Sequence, residues 1–422
     1  MYNVLVSACS SYNFSLRYYA YALSIVNTEV MNGCFSKFDS PEVIPVSKVG
    51  SILVAELWHG PTGAFKDLAL SVVGRLADLF LQKQGKKATV LVGTSGDTGS
   101  ASIHSVLGSQ NINIIVLYPR GRITHVQELQ MTTVSAPNVK VYSVDGTSDD
   151  LDIPIKKLFA DVGFVKKYNL VSLNSVNVAR VLFQAVHFIY LYLKACPAAD
   201  REVLFSVPSG GLGNMAGGYI AYMMGIPIKF LSAVNENDVV HRAFDLGVLS
   251  LSEIVLQTYA SAMDIQIPYN IERLFYFMSG GDCEVVKSIM EKFEKDGNCN
   301  IPSELLASNR CITTMRVSQQ RTLATMEYVW REFQYLVCPH SAIGLCAALD
   351  YQKTEQESTD LVVIATATPA KFPEVVEKAG LPIPSSPAFA ELHSKTETKL
   401  FMEKKEDWEQ TLRVAVEAMS RQ

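Results

Sequence analysis

The chain has 422 residues, of which 48% are apolar and 19% are charged. At about 150 residues per domain this length predicts two or three domains, and the composition excludes a largely disordered chain. The 37 Lys and Arg residues and 42 Asp and Glu residues give a net charge of −5, so binding to nucleic acid or to anionic membranes is not expected.

Residues 1–50 form an atypical N-terminal segment. Residues 18–26 are mostly apolar, but no positively charged region precedes Arg17, so a surface helix is favoured over a signal sequence. No apolar run is long enough to span a membrane without polar interruption. The eight cysteines include no CxxC pair, which argues against a zinc site or a disulfide scaffold and favours a reducing, cytoplasmic location.

From residue 50 onward, apolar runs alternate with stretches of helical spacing. Strands are predicted at residues 88–92, 112–117, 139–144, 203–207, 228–234 and 361–365, and helices at 68–81, 178–193 and 215–224. Strands that are apolar on both faces lie between helices, so the alternation predicts parallel sheets with ligands at the carboxyl ends of the strands. Residues 240–335 are expected to be mainly helical, and residues 407–419 to form a surface helix in a charged tail.

The first candidate site is the segment HGPTGAFKD at residues 59–67. A turn at Gly60 and Pro61 leads into a helix whose first residues include Lys66. The positive end of the helix dipole is expected to lower the pKa of the Lys66 amine, which favours Schiff-base chemistry. Taken alone, a solvated surface lysine is the simpler interpretation.

Two glycine-rich loops each follow a predicted strand and open a predicted helix. GTSGDTGS at residues 93–100 offers hydroxyls and backbone amides to a carboxylate or phosphate, although a capped turn explains it as well. PSGGLGN at residues 208–214 lets the backbone approach a ligand closely. This second loop also matches the dinucleotide pattern G-x-G-x-x-A at Gly211, Gly213 and Ala216, with Glu236 as a ribose-binding acid, so a nicotinamide dehydrogenase is a rival interpretation.

A fourth segment, ATATPAKF at residues 365–372, ends the last predicted strand with hydroxyl groups. These hydroxyls either face a bound ring or only cap the strand. Together, a lysine, two anion-binding loops and a strand-end hydroxyl are the groups that pyridoxal phosphate requires. The lysine bonds the cofactor, one loop holds its phosphate, and the other holds the carboxylate of an amino-acid substrate.

These segments resemble those of threonine synthases, over about residues 50–380. HGPTGAFKD resembles the family's lysine motif, GTSGDTGSA its carboxylate loop, NSVNVAR (residues 174–180) its NSINWAR segment and TATPAKF its TAHPAKF segment. SAMDIQIPYNIERL and CPHSAIG resemble further family segments. Within the family, the sequences of these motifs are most similar to those of the threonine synthase-like 2 proteins of animals, which are assigned a phospho-lyase activity on O-phosphohomoserine.

The resemblance implies the type II fold of tryptophan synthase β, an α/β architecture with two parallel-sheet domains and a helical insertion. Residues 51–66 and 179–385 would form the larger domain with the cofactor phosphate loop, and residues 67–178 the smaller domain with the carboxylate loop. Residues 386–422 would be a C-terminal tail. The implied partners are pyridoxal phosphate and a small phosphorylated amino acid, without metal, nucleic acid or membrane, and both a monomer and a homodimer stay open.

The resemblance also assigns site residues, with Lys66 as the catalytic residue that bonds the cofactor. The residues implied to hold the cofactor are Lys66, Asp97, Gly210, Gly211, Leu212, Gly213, Asn214 and Thr366, the last at the pyridine nitrogen. Those implied to hold the substrate are Ser95, Gly96, Thr98, Asn174, Ser175, Asn177 and Arg180. Arg180 suits the substrate phosphate because a guanidinium grips phosphate through two parallel hydrogen bonds.

Several features depart from the family pattern. Gly63 replaces a leucine, Val178 a tryptophan, Thr368 a histidine and Cys338 an acidic residue, and residues 1–50 do not resemble the family's N-terminal domain. Val178 and Thr368 suggest a remodelled pocket, and we expect O-phosphohomoserine to yield phosphate, 2-oxobutyrate and ammonia. A threonine synthase, a serine or threonine dehydratase and a catalytically silent signalling protein are the alternatives.

Overall fold

The structure is a computed structural model that describes residue 31, residues 33–354 and residues 360–421. The surface-helix interpretation of residues 18–26 lies outside these described residues. The strands are β1 (Val46–Val49), β2 (Ile52–Glu56), β3 (Ala88–Gly93), β4 (Ile112–Pro119), β5 (Val139–Val144), β6 (Leu170–Ser172), β7 (Val203–Pro208), β8 (Ile228–Val234), β9 (Val248–Ser250), β10 (Asn298–Asn300), β11 (Ile312–Arg316), β12 (Asp360–Ala365) and β13 (Leu400–Met402).

Helices occupy most of the intervening described segments. They are α1 (Lys66–Gln84), α2 (Asp97–Val106), α3 (His125–Thr132), α4 (Ser148–Ala160), α5 (Val162–Tyr168), α6 (Val178–Ala195), α7 (Gly213–Met223), α8 (Val239–Asp245), α9 (Ile271–Met278), α10 (Cys283–Asp296), α11 (Ser303–Ala307), α12 (Gln319–Phe333), α13 (Pro339–Thr354), α14 (Pro373–Lys378), α15 (Pro387–Ala390) and α16 (Trp408–Ser420). Short 3-10 helices lie at Ser261–Met263, Pro369–Lys371 and Glu391–Ser394.

Two sheets organise the chain. The larger sheet has the order β1-β2-β12-β7-β8-β11, and its edge strand β1 runs antiparallel to β2 while its other pairings are parallel. The smaller sheet has the order β13-β5-β4-β3-β6, with parallel pairings throughout. The predicted α/β architecture with two largely parallel sheets is confirmed.

Each sheet is buried on both faces, which explains its continuous apolar strands. Within β7, Phe205 packs into the cluster formed with α6 and α7, while its neighbour Leu204 packs into the opposite cluster formed with α13. Within β3, Val90 faces α1 and α2, and Leu91 faces α4 and α16. The strands and helices predicted from residue 68 to residue 365 are found within three residues of their expected bounds.

The tail belongs to the smaller sheet, and the predicted surface helix is found there as α16, with one face exposed and the other buried against the sheet. Strand β13 pairs in parallel with β5, and α16 packs on the same sheet. Leu412, Val416 and Met419 are fully buried there, at the i, i+4, i+7 spacing of one helix face. The helix begins close to the predicted residue because the Asp407 side chain accepts a hydrogen bond from the Gln410 amide.

Residues 240–335 are mainly helical, as predicted, but they also supply a strand of the larger sheet. β11 forms its edge, parallel to β8. Its sequence ITTMR is short and keeps several side chains partly exposed, which is typical of an edge strand. Its mixture of apolar and polar residues does not distinguish this strand from a loop in the sequence.

Helix α6 has the length and composition of a membrane span, contrary to the expectation that the chain has no such run. Among the described residues, it is the one helix that is long and apolar enough to cross a membrane. Half of this segment is buried inside the protein. Phe188 and Ile189 pack against the larger sheet. Its apolar character is explained by this place in the core.

Candidate active site

Three strand ends meet at one cavity. β3 ends at Gly93, β7 at Pro208 and β12 at Ala365, and the loops that follow them line it. The cavity opens to solvent, and the space between its walls is about 840 Å³ with the open mouth included. The predicted site residues that line it are Lys66, Ser95, Asp97, Thr98, Asn174, Ser175, Arg180, Gly210, Gly211, Leu212, Gly213, Asn214 and Thr366.

Lys66 is the first residue of α1, and only 14% of its side-chain surface is exposed. Its Nζ lies 3.5 Å from Oδ2 of Asp97. Burial lowers the pKa of the Lys66 amine, Asp97 opposes this change, and the charges of Arg180 and Lys371 add to it. The predicted direction is confirmed, but burial is the main cause and not the helix dipole.

Asp97, the first residue of α2, is a carboxylate held among cations. Its Oδ1 accepts a hydrogen bond from Nε2 of Gln127 at 2.8 Å and lies 2.9 Å from Nζ of Lys371. Burial would raise the pKa of Asp97, but the charges of Lys371 and Lys66 outweigh burial and hold it well below its usual range. Asp97 is therefore a permanent anion beside Lys66.

The loop after β7 offers donors to an anion. It leads into α7, whose first residues are Gly213 and Asn214, and the free N–H groups of a helix start favour negative charge. Oδ1 of Asn214 lies 2.8 Å from Nε2 of His187, which fixes the orientation of the amide. The buried Nδ2 of Asn214 has no hydrogen-bond partner among the described residues, so this donor is available to a ligand.

Arg180 is a buried cation with no ion-pair partner in the described part of the chain. It lies in the first turn of α6 with 2% of its surface exposed. Nη1 donates to the carbonyl oxygen of Leu173 at 2.6 Å, while Nε has no partner among the described atoms. Burial lowers its pKa to about 10, so it stays charged at neutral pH. A buried charge without a counter-ion is unfavourable, and this one suits an anionic ligand.

Hydroxyl and amide groups complete the walls of the cavity. Nδ2 of Asn174 donates to the carbonyl oxygen of Gly93 at 2.8 Å, and its Oδ1 has no partner among the described atoms. Oγ1 of Thr366 lies 3.5 Å from Oγ of Ser341, which in turn lies 3.1 Å from Sγ of Cys338. Thr366 thus presents an uncharged hydroxyl at the end of β12.

Two predicted substrate residues do not line the cavity. Gly96 has a φ of 132°, and a Cβ there would lie 2.5 Å from Nε2 of Gln127. Asn177 caps α6 by accepting a hydrogen bond from the Ala179 amide, and its Nδ2 donates to the carbonyl oxygen of Ser172. Both residues shape the backbone around the site, and the polar atoms of Asn177 are already engaged.

Val178 and Thr368, expected to remodel the pocket, also lie outside the cavity lining. Val178 is 55% exposed on α6. Thr368 packs against Gly63, where a Cβ would lie 2.7 Å from its Cγ2. The residues Gly63 and Thr368, which both differ from the family pattern, contact each other and therefore form one local packing change. Neither Val178 nor Thr368 changes the walls of the cavity.

Comparison with known proteins decides the family. A family model described as "Pyridoxal-phosphate dependent enzyme" matches residues 45–367, and one described as "Threonine synthase, C-terminal" matches residues 341–414. Threonine synthase-like 2 from Homo sapiens is 47% identical over 402 residues, which are 93% of this chain and 83% of that protein. The chain belongs to the threonine synthase family.

Solved structures of the threonine synthase family have the same architecture. The pyridoxal phosphate-bound threonine synthase from Brucella melitensis has a TM-score of 0.84 at 34% identity, covering 93% of this chain and 84% of that one. Threonine synthase from yeast has a TM-score of 0.85 at 31% identity, covering 99% of this chain and 88% of that one.

Pyridoxal phosphate is the cofactor of this threonine synthase-family protein, and the cavity residues fit it. Lys66 offers an amine with a lowered pKa, Asn214 an unpartnered donor, and Thr366 an uncharged hydroxyl suited to a pyridine nitrogen. The rival dehydrogenase interpretation is wrong, and Glu236 does not line the cavity. The described residues contain no group of three or more His, Cys, Asp and Glu side chains placed to hold a metal.

Sequence reasoning assigned no role to several polar residues of the site. They are Gln184, Tyr269 and His340 in the cavity lining and Lys371 beside Asp97. Nε2 of His340 accepts a hydrogen bond from the Ala262 amide, and burial lowers its pKa to about 4, so the ring is neutral. Gln184 lies one turn after Arg180 on α6, and this i, i+4 spacing is the signal that could have found it.

Proposed function

We propose that this protein eliminates phosphate from O-phosphohomoserine and forms 2-oxobutyrate and ammonia. Arg180 carries the proposal, because it is a buried, charged guanidinium with an unpartnered Nε in the same cavity as Lys66. A guanidinium suits a phosphate geometrically and electrostatically. The glycine loop before α7 offers a second anion site for the cofactor phosphate, which leaves Arg180 for the substrate.

The tasks of the remaining residues follow from their contacts. When bound, pyridoxal phosphate accepts the electron pair left at Cα of the substrate, which makes the Cα proton removable. Lys66 takes this proton as an amine, and its lowered pKa favours the unprotonated state that a base requires. Asp97 balances the positive charge that Lys66 then acquires. Arg180 holds the phosphate as its bond to Cγ breaks.

The products depend on which carbon receives water. A second proton is lost from Cβ as phosphate leaves with the electron pair of its bond to Cγ. Addition of a proton at Cγ then gives an unsaturated four-carbon amino acid with its double bond between Cα and Cβ. Water at Cα releases ammonia and gives 2-oxobutyrate, whereas water at Cβ gives threonine. Each route consumes one water molecule and releases one phosphate, so phosphate release alone does not distinguish them.

Threonine formation is the second candidate function. It is favoured by the similarity to the threonine synthases of Brucella melitensis and yeast over more than nine-tenths of this chain. The positions of Val178 and Thr368 outside the cavity lining also remove one argument for a lyase. The two candidates share the substrate and the roles of Lys66 and Arg180.

The deciding experiment is product analysis of the purified holoenzyme with O-phosphohomoserine. We expect 2-oxobutyrate and ammonia in amounts equal to the phosphate released. Threonine in that amount would refute the lyase and support the second candidate. Formation of 2-oxobutyrate from threonine, with O-phosphohomoserine left intact, would indicate a dehydratase. Absence of turnover with the cofactor bound would support the silent protein, and Lys66→Ala is the inactive control.

A further inference from the structure

Lys371 is a fully buried lysine to which the proposed reaction gives no task. It ends the 3-10 helix after β12 and has 0% of its surface exposed. Its Nζ donates to the carbonyl oxygen of Thr62 at 2.9 Å and lies 2.9 Å from Oδ1 of Asp97. Its own carbonyl oxygen accepts a hydrogen bond from Oγ1 of Thr124 at 2.8 Å. Contacts at both ends therefore fix this residue.

The two oxygens of Asp97 are divided between two lysines. Oδ1 lies 2.9 Å from Nζ of Lys371, and Oδ2 lies 3.5 Å from Nζ of Lys66. The shorter contact joins two side chains that are 0% and 2% exposed, so it forms a fixed ion pair. Since Lys371 neutralises part of the Asp97 charge, less of that charge acts on Lys66.

We propose that Lys371 is a positioning residue that acts on Lys66 through Asp97. Its ammonium fixes the Asp97 carboxylate against Lys66 and, by sharing it, limits how firmly the nitrogen of Lys66 holds a proton. A base that works at Cα must give up and recover its proton near neutral pH. Lys371 supplies the opposing charge that makes this exchange possible beside a permanent anion.

Other titratable groups face the same centre and stay in place when Lys371 is changed. They are Arg180, which acts on Lys66; Asp67, which shares Thr62 with Lys371; and the two neutral histidines His340, which faces Asp97, and His104, which lies near Lys371. Lys371 is nevertheless the cation in direct contact with Oδ1 of Asp97. Substitution of Lys371 therefore removes one charge while the neighbouring groups stay unchanged.

The test is a pH titration of the absorbance of the holoenzyme, without substrate. The inference rests on Lys66 as the residue bonded to the cofactor, which borohydride reduction and peptide mapping of the wild type check separately. In Lys371→Gln the midpoint for loss of the proton at the Lys66 nitrogen should rise by about one pH unit or more. Gln retains a donor for the Thr62 carbonyl oxygen, so a purely structural tether predicts an unchanged midpoint.

Two further variants complete the test. Lys378→Gln removes an exposed lysine seven residues away and should titrate like the wild type. Lys371→Met, which removes the donor and the charge together, should titrate like Lys371→Gln. A cofactor-loaded Lys371→Gln with the wild-type midpoint would overturn the proposal. If both neutral variants fail to fold or to load cofactor, Lys371→Arg decides: uptake with a near-wild-type midpoint supports the charge role, and failure of uptake overturns it.

Discussion

Lys66 and Arg180 are two cations of one cavity whose surroundings differ. Lys66 has the carboxylate of Asp97 within 3.5 Å, whereas Arg180 has no ion-pair partner in the described part of the chain. Burial lowers the pKa of both groups, and for the amine this change favours the unprotonated form that a base requires. The guanidinium stays charged and available to an anion from solution.

Replacing Arg180 should weaken use of O-phosphohomoserine and spare the cofactor. In Arg180→Gln, kcat/KM should fall by the equivalent of roughly 1.5–3 kcal/mol, the range for a hydrogen bond to a charged group. Gln retains a donor for the Leu173 carbonyl oxygen. The measurement is steady-state kinetics beside an absorbance spectrum of the holoenzyme. Loss of the cofactor band would show that Arg180 binds the cofactor phosphate instead.

Lys66 should carry the cofactor in the resting protein. Its amine lies in the cavity with a lowered pKa, which favours bonding to the cofactor aldehyde. Borohydride reduction followed by peptide mapping should place the label on Lys66, and Lys66→Ala should take up no reducible label. A label on Lys371, the other lysine in contact with Asp97, would contradict the assignment.

His187 should make the protein less stable in mild acid. Burial lowers the pKa of His187 to about 4, while its hydrogen bond to Asn214 opposes the change. The unfolded chain, with a histidine pKa near 6.5, then binds more protons, so stability falls as pH drops from about 6.5 to 4. Relative to His187→Gln, the wild type should lose roughly 1–3 kcal/mol between pH 7 and pH 4.5.

The His187 measurement is urea unfolding of both proteins at the two pH values. Asp67 and Asp264 have pKa values raised to about 6 by burial, and their opposite effect cancels in the difference between the two proteins. An equal stability difference at both pH values would show that His187 does not titrate in this range.

At the scale of helices and strands, the sequence predicts the position of a site residue when neighbouring residues in the chain determine it. Lys66, Asp97 and Asn214 lie in the first turns of helices, and Thr366 directly follows a strand, so each local pattern gives the position. Lys371 gains its partners Thr62 and Asp97 from segments far away in the chain. Such contacts leave no periodic signal, which is why the sequence did not assign them a role.

Helix α16 provides a direct test of how the tail packs on the smaller sheet. Leu412 is fully buried, and Leu412→Ala should lower the free energy of unfolding by about 2–5 kcal/mol. Val414 lies on the same helix and is 55% exposed, so Val414→Ala should stay within about 0.5 kcal/mol of the wild type. Chemical unfolding of both variants is the measurement. Equal, small effects would show that Leu412 does not anchor α16 to the smaller sheet.

At the scale of the whole molecule, the cavity draws on both sheets. β3 belongs to the smaller sheet, and β7 and β12 belong to the larger one, so a ligand in the cavity contacts loops from both. The fold class and the loops that line the cavity could be predicted because ligands bind at the carboxyl ends of parallel strands, whereas Asn174, Ser175 and Arg180 were assigned from the resemblance to threonine synthases. The exclusion of Gly96 and Asn177 could not be predicted, because it depends on tertiary contacts: Gly96 lies against Gln127, and Asn177 caps α6.

Cofactor binding should therefore stabilise the folded molecule. A ligand that binds only the native state adds about 2.7 kcal/mol when its concentration is 100 times its Kd. The melting temperature of apoprotein should rise with added pyridoxal phosphate, and pyridoxal, which lacks the phosphate, should raise it less. Equal shifts with the two compounds would argue against an anion site in the glycine loop before α7.

Strand β13 has a consequence for biosynthesis. Its partner β5 at Val139–Val144 leaves the ribosome more than 250 residues before Leu400–Met402 do. In the same way, β2 at Ile52–Glu56 pairs in parallel with β12, which is synthesised only from residue 360 onward. Both sheets therefore keep an open, unpaired edge through most of translation, and such edges invite aggregation. Newly made chains should depend on chaperones until the last strands are in place.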